Sequence, residues 1–149
     1  SLISLSFRGL GVIFDLDYEK QRLLFNIGLH LGMLFQVVDD VIDVRSSSAV
    51  LKKPAFKDIE SGVINSYIIF EMNGERKEEI LDLLKGKFKE PGSIARMKGV
   101  LETGKGIVKT ENLALDHLLE LINILNHPFF VRSETREKLI KSIIFMFNR

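Results

Sequence analysis

Three aspartates stand together at the end of a strongly apolar stretch: Asp39, Asp40 and Asp43. On a helix, Asp39 and Asp43 share a face one turn apart, and Asp40 lies about 100° round from Asp39 on the same side. Gln36, three residues before Asp39, belongs to that face as well. No basic residue lies between Gln36 and Asp43. Like charges a turn apart repel, and near a helix C-terminus they also oppose the dipole. Partial burial raises that cost. Two arrangements relieve it: the aspartates emerge into solvent where the helix leaves the core, or they hold a cation. A hard cation such as Mg²⁺ suits oxygen ligands and completes its shell with water and phosphate oxygens. The residues alone leave both arrangements open.

The element that must position them runs from Tyr18 to Val44 without a proline. Its apolar residues, from Leu23 through Val44, fall on nearly every face of a 3.6-residue helix. The expectation is a helix buried inside a bundle. Asn26, His30, Gln36 and the aspartates break any apolar run long enough to span a membrane. Asp15 or Asp17 caps its start, with Glu19 in the first turn.

The other elements also read as helices. Residues 1–14 form one piece, and because Ser1–Phe7 reads as the middle of an amphipathic segment, further residues are expected before it. Residues 45–61, with Ser46-Ser47-Ser48 and Lys52-Lys53-Pro54, form a loop. Helices follow at about 62–72, 75–88, 93–102 and 107–125, with a last one from a Ser133 cap to Asn148. Asn73-Gly74, Pro91-Gly92, Gly104, Gly106 and His127-Pro128 separate them. No period-two alternation is long enough for a sheet, so the chain is expected to be an all-α layered bundle.

Composition narrows the function classes. Lys and Arg number 21 against 20 Asp and Glu, a net charge of +1, so no basic excess points to nucleic acid. Cysteine is absent, which excludes disulfide frameworks, Cys-ligated zinc and thiol nucleophiles. A length of 149 residues fits one domain that buries a core without such staples. Gly99…Gly104-Lys105 imitates a phosphate-binding loop, but Gly106 stands where Ser or Thr is needed and no strand precedes it. His30 reads as a core histidine, and the Lys85–Lys89 run as a solvated face.

The string Gly32-Met33-Leu34-Phe35-Gln36-Val37-Val38-Asp39-Asp40-Val41-Ile42-Asp43 resembles the Gly-x-x-Phe-Gln-x-x-Asp-Asp-x-x-Asp motif. That is the second aspartate-rich motif of the trans-isoprenyl, or polyprenyl, diphosphate synthases. Lys53-Pro54, Asp58-Ile59 and Gly62 resemble the loop that follows it in the family. Ser1–Phe14 resembles the helix after the family's Lys-Thr-Ala signature, and the segment from Arg136 to Arg149 its last helix. The resemblance covers the whole chain and implies the C-terminal portion, about half, of a single polyprenyl synthetase domain of the isoprenoid synthase type. The first aspartate-rich motif has no counterpart here.

The resemblance implies a prenyltransferase that condenses isopentenyl diphosphate with an allylic diphosphate. The allylic bond ionises with Mg²⁺ assistance, and an apolar cavity shields the cation from water. Carried over by position, Asp39, Asp40 and Asp43 are the metal residues, with Asp39 the foremost ligand. Gln36 hydrogen-bonds near the allylic substrate and Lys53 approaches its diphosphate. No catalytic residue separate from the metal site is implied. A homo- or heterodimer is implied too, for which Phe145 and Phe147 offer a face. Lacking the first motif, the chain alone is expected to be inactive. Val63 and Tyr67 depart from the family's Gly-Lys-x-Thr-x-Pro segment. They favour an alternative: a non-catalytic subunit that pairs with a complete synthase.

Overall fold

The computed structural model describes residues 2–45, 59 and 62–147. Among them are seven helices and no strand: α1 (Leu2–Ile13), α2 (Tyr18–Arg45), α3 (Ser66–Met72), α4 (Lys77–Lys85), α5 (Ser93–Thr103), α6 (Gly106–Leu125) and α7 (Glu134–Phe147). This is the all-α class that the periodicity predicts.

The helix boundaries have local causes. Asp17, rather than Asp15, starts α2: its Oδ1 accepts the Lys20 N–H at 3.0 Å. Asp15 sits in the preceding turn with φ 49. Glu19 in the first turn and Arg45 in the last complement the α2 dipole. Helix α3 begins at Ser66, later than expected, because Gly62 is left-handed (φ 75) and Asn65 is extended. Helix α4 stops at Lys85 instead of running to Phe88, since Lys87 and Phe88 both adopt positive φ, a conformation no right-handed helix contains. The Ser133 Oγ accepts the Arg136 N–H at 3.2 Å, the cap expected for α7.

The chain divides into two compact units. The first comprises Ser1–Val38 with Leu113–Arg149. Its buried apolar residues are Ile27, Leu34, Val37, Ala114, Leu118, Leu121, Leu125 and Ile143, with Val38 at its edge. Here α1 and α2 meet backbone to backbone. A Cβ added at Gly28 would lie 2.7 Å from the Ile3 carbonyl oxygen and 2.7 Å from the Ser4 Cα. Only glycine permits that approach. One expectation for α2 fails in this unit. The helix is not buried on all sides, for Met33 and Phe35 are exposed, Phe35 at 59%.

The second unit comprises Asp39–Asn112. Ile59, Tyr67, Ile68, Ile80, Leu83, Met97, Val100 and Leu101 form its core, and Val44, Met72, Leu84, Phe88 and Ile107 pack against it. Helices α3, α4 and α5 contact one another around this core. Buried Glu71, from α3, accepts the N–H of Gly106, the first residue of α6. The Thr110 hydroxyl closes that first turn onto the Gly106 carbonyl at 2.9 Å. The glycines at 104 and 106 thus separate two helices and leave room for Glu71. Gly99 lies inside α5, so no phosphate-binding loop exists here.

Candidate metal centre

The aspartates lie on the last two turns of α2, as the spacing predicts. They have three different surroundings. Asp39 is exposed, Asp43 is half-buried, and Asp40 is only 5% exposed. Gln36 is exposed, and helical register puts it one turn before both Asp39 and Asp40. The four residues therefore form one stripe with an open edge, Gln36 and Asp39, and an inward edge, Asp40 and Asp43.

The inward edge is held by the start of α3. Asp40 Oδ2 accepts the Ser66 N–H at 2.9 Å and the Ser66 hydroxyl at 2.5 Å. The Tyr67 hydroxyl donates to Asp43 Oδ2 at 3.1 Å, and accepts from Asn65 Nδ2 at 2.7 Å. Tyr67 is fully buried. These bonds answer the cost of two carboxylates brought under cover, because hydrogen bonds to a charged group are the strong ones. Sequence reading missed Ser66 and Tyr67 as positioning residues. Tyr67 entered it only as a departure from a pattern.

The nearest base along α2 does not neutralise the stripe. Arg45, in the last turn, pairs with Glu111 of α6. Among the described residues no three His, Asp or Glu side chains stand close enough to hold a metal ion by themselves. The donors nevertheless fit a hard cation. All are oxygens, and Asp39 presents its carboxylate to solvent. A small hard cation characteristically takes one or two carboxylates and fills its remaining positions with water and phosphate oxygens. Lys53, with the rest of the expected loop at 46–58, lies outside the described residues.

The core histidine expected at position 30 is half-buried, and it has a partner the sequence did not reveal. His30 Nδ1 and His117 Nδ1 are 3.0 Å apart, across 87 residues of chain. Their rings tilt at 59°, with centroids 5.2 Å apart. Burial, then the His30 charge, push the His117 imidazole below the usual histidine range, and Asp116 opposes the shift. The Lys85–Lys89 run is solvated as expected, with only Phe88 turned partly inward.

The comparisons with known proteins agree with this architecture. The sequence pattern of the family described as polyprenyl synthetase matches residues 1–101. A prenyl transferase of Cyanophora paradoxa is 32% identical over 144 residues, which are 97% of this chain and 44% of that protein. Among solved structures, the apo form of an Arabidopsis medium/long-chain length prenyl pyrophosphate synthase superposes with a TM-score of 0.83 at 27% identity. It takes in 99% of this chain and 50% of the other. A polyprenyl synthase from Caulobacter crescentus, complexed with calcium and isoprenyl diphosphate, shares the fold with a TM-score of 0.77 at 22% identity. Here the overlap is 99% of this chain and 45% of the other. The chain thus spans half or less of the length of each. Among the described residues no helix is long and apolar enough to cross a membrane.

Proposed function

The chain belongs to the polyprenyl synthetase family, and from that premise we propose that it is a C-terminal portion of a prenyl diphosphate synthase domain whose Asp39 face engages a divalent cation and an allylic diphosphate. The observation that carries this reading is the split of the aspartate stripe. Asp40 and Asp43 are bound to Ser66 and Tyr67, which fixes the last turns of α2. Asp39 is left facing solvent from a held helix, as a ligand awaiting a cation should be.

A bound Mg²⁺ would neutralise the diphosphate as it leaves the allylic carbon, ahead of attack by isopentenyl diphosphate. This chain's own part is to orient. Asp39 offers the carboxylate oxygens, and Asp40 and Asp43 keep that carboxylate in place through α3. Gln36 supplies an amide on the same edge for the substrate, and Lys53 a cation for the diphosphate. The domain's activity needs the first aspartate-rich motif, so the chain alone is inactive. A steady yield of prenyl product from the isolated chain with both diphosphates and Mg²⁺ would overturn that statement. Pairing with another chain, of the same or a different kind, is part of this reading. Phe145 on α7 is 72% exposed and supports it.

A second reading has one observation in its favour. Val63, exposed where the family often has a lysine, offers no cation to a diphosphate. On that reading the chain belongs to a non-catalytic subunit that partners a complete synthase. Calorimetry separates the readings. Titrating the full chain with a bisphosphonate in Mg²⁺ should give binding that EDTA abolishes and that Asp39→Asn weakens about tenfold or more, the effect of losing a charged ligand. Equal heats for both proteins would remove Asp39 from the site.

A further inference from the structure

The His30–His117 contact lies within the first unit, where it joins α2 to α6. At 3.0 Å between Nδ1 atoms, the contact works only with one proton between them: one ring donates and the other accepts. With a proton on each Nδ1, two N–H groups would face each other and neither would have an acceptor. Both rings are partly covered, so water replaces the lost partner poorly.

The charges around the pair are few. Among the described residues, Asp116 on α6 is the acid that acts on His117. Glu120, one turn further along α6, is exposed. Along α2, the residues one turn either side of His30 are Asn26, Ile27, Met33 and Leu34, none of them charged. A second proton therefore finds little compensation.

We propose that the His30–His117 pair is a proton-operated latch: it fastens α2 to α6 while it holds a single shared proton and lets go when the second arrives. The site on α2 does not enter this inference. Its consequence is that acid loosens the first unit.

The His117 pKa in the folded chain is lowered from the ordinary 6.5. The unfolded chain therefore binds more protons than the folded one in the interval between the lowered value and 6.5. Stability is complete above that interval, falls as the pH drops through it, and levels off below. Within the interval, one extra proton in the unfolded state changes the unfolding constant about tenfold per pH unit.

Two measurements on the full chain test the latch. The first follows the three histidine Cε1–H signals by NMR. The pair should titrate in two separate steps, the lower one, at His117, below the ordinary histidine value of 6.5. If both rings titrate in a single step, the latch is wrong. The second compares urea midpoints between pH 7.5 and 5.5 for the natural chain and for His30→Asn with His117→Asn, which keeps polar atoms in place but removes both titrations. The natural chain should lose stability toward acid and the double variant should lose much less. Equal losses would overturn the proposal, and the NMR titration decides it if the variant does not fold.

Discussion

Helix α2 is held in two places by opposite means. Toward its middle, in the first unit, it meets α1 by close backbone approach: Gly28 has no side chain, and the backbone at Ile3 and Ser4 fills the space. Toward its end, in the second unit, it meets α3 through hydrogen bonds from Ser66 and Tyr67 to Asp40 and Asp43. The first contact leaves no room for a side chain at Gly28. The second consists of charged oxygens that could in principle trade one partner for another. The same helix thus uses close backbone approach in one unit and charged hydrogen bonds in the other.

The sharpest way to break the comparison is to fill the space at Gly28. Gly28→Ala puts a methyl group 2.7 Å from backbone atoms that cannot swing aside. The helices must separate, at a cost of about 2–3 kcal/mol, and a urea midpoint would record it. A loss below about 0.5 kcal/mol would show that the crossing yields easily and that shape does not hold it.

Next in size is Glu71, which belongs to the polar side of the comparison. Its buried carboxylate serves the first N–H of α6. Glu71→Ala leaves that N–H without a partner in a covered position, for about 2 kcal/mol. Amide exchange at Gly106 should accelerate more than exchange in the middle of α6. Uniform acceleration along the helix would mean that Glu71 supports the core by volume and not the helix start by charge.

The two contacts also differ in how far they could be read in advance. The aspartates were legible because their spacing is a local pattern, and one helix keeps local patterns intact. The helices were legible for the same reason, and their largest end shifts, at the start of α3 and the end of α4, fall beside left-handed residues, Gly62, Lys87 and Phe88. What joins distant segments was not. Ser66 lies 26 residues along the chain from Asp40 and Tyr67 24 from Asp43, and His117 meets His30 from another helix; neither pairing leaves a spacing to find. Gly28 gave no signal either, because a glycine inside a helix reads as a weakness until its neighbour is known. The exposure of Phe35 went against expectation for a related reason. An apolar residue is buried by whatever packs on it, and among the described residues Phe35 stays 59% exposed.

The smallest expected effect tests the polar contact most directly. Tyr67→Phe keeps the ring, which is fully buried in the core of the second unit, and removes only the hydroxyl. That hydroxyl donates to Asp43 and accepts from Asn65. Packing should be nearly unchanged, so any loss reports the hydrogen bonds. Asp43 is half-buried and can turn part of its carboxylate to water, whereas Asn65 is buried and has less recourse. The expected cost is about 1 kcal/mol in urea unfolding. Beside Asp43→Asn the loss should be less than additive, because both changes act on one bond. If Tyr67→Phe costs nothing, Tyr67 acts as an apolar wedge, and the end of α2 is held by shape just as its middle is. A loss near 1 kcal/mol, with coupling to Asp43, keeps the two contacts physically distinct. Among the described residues, it also leaves Asp39 as the exposed carboxylate of the three, outside the bonds that tie α2 to α3.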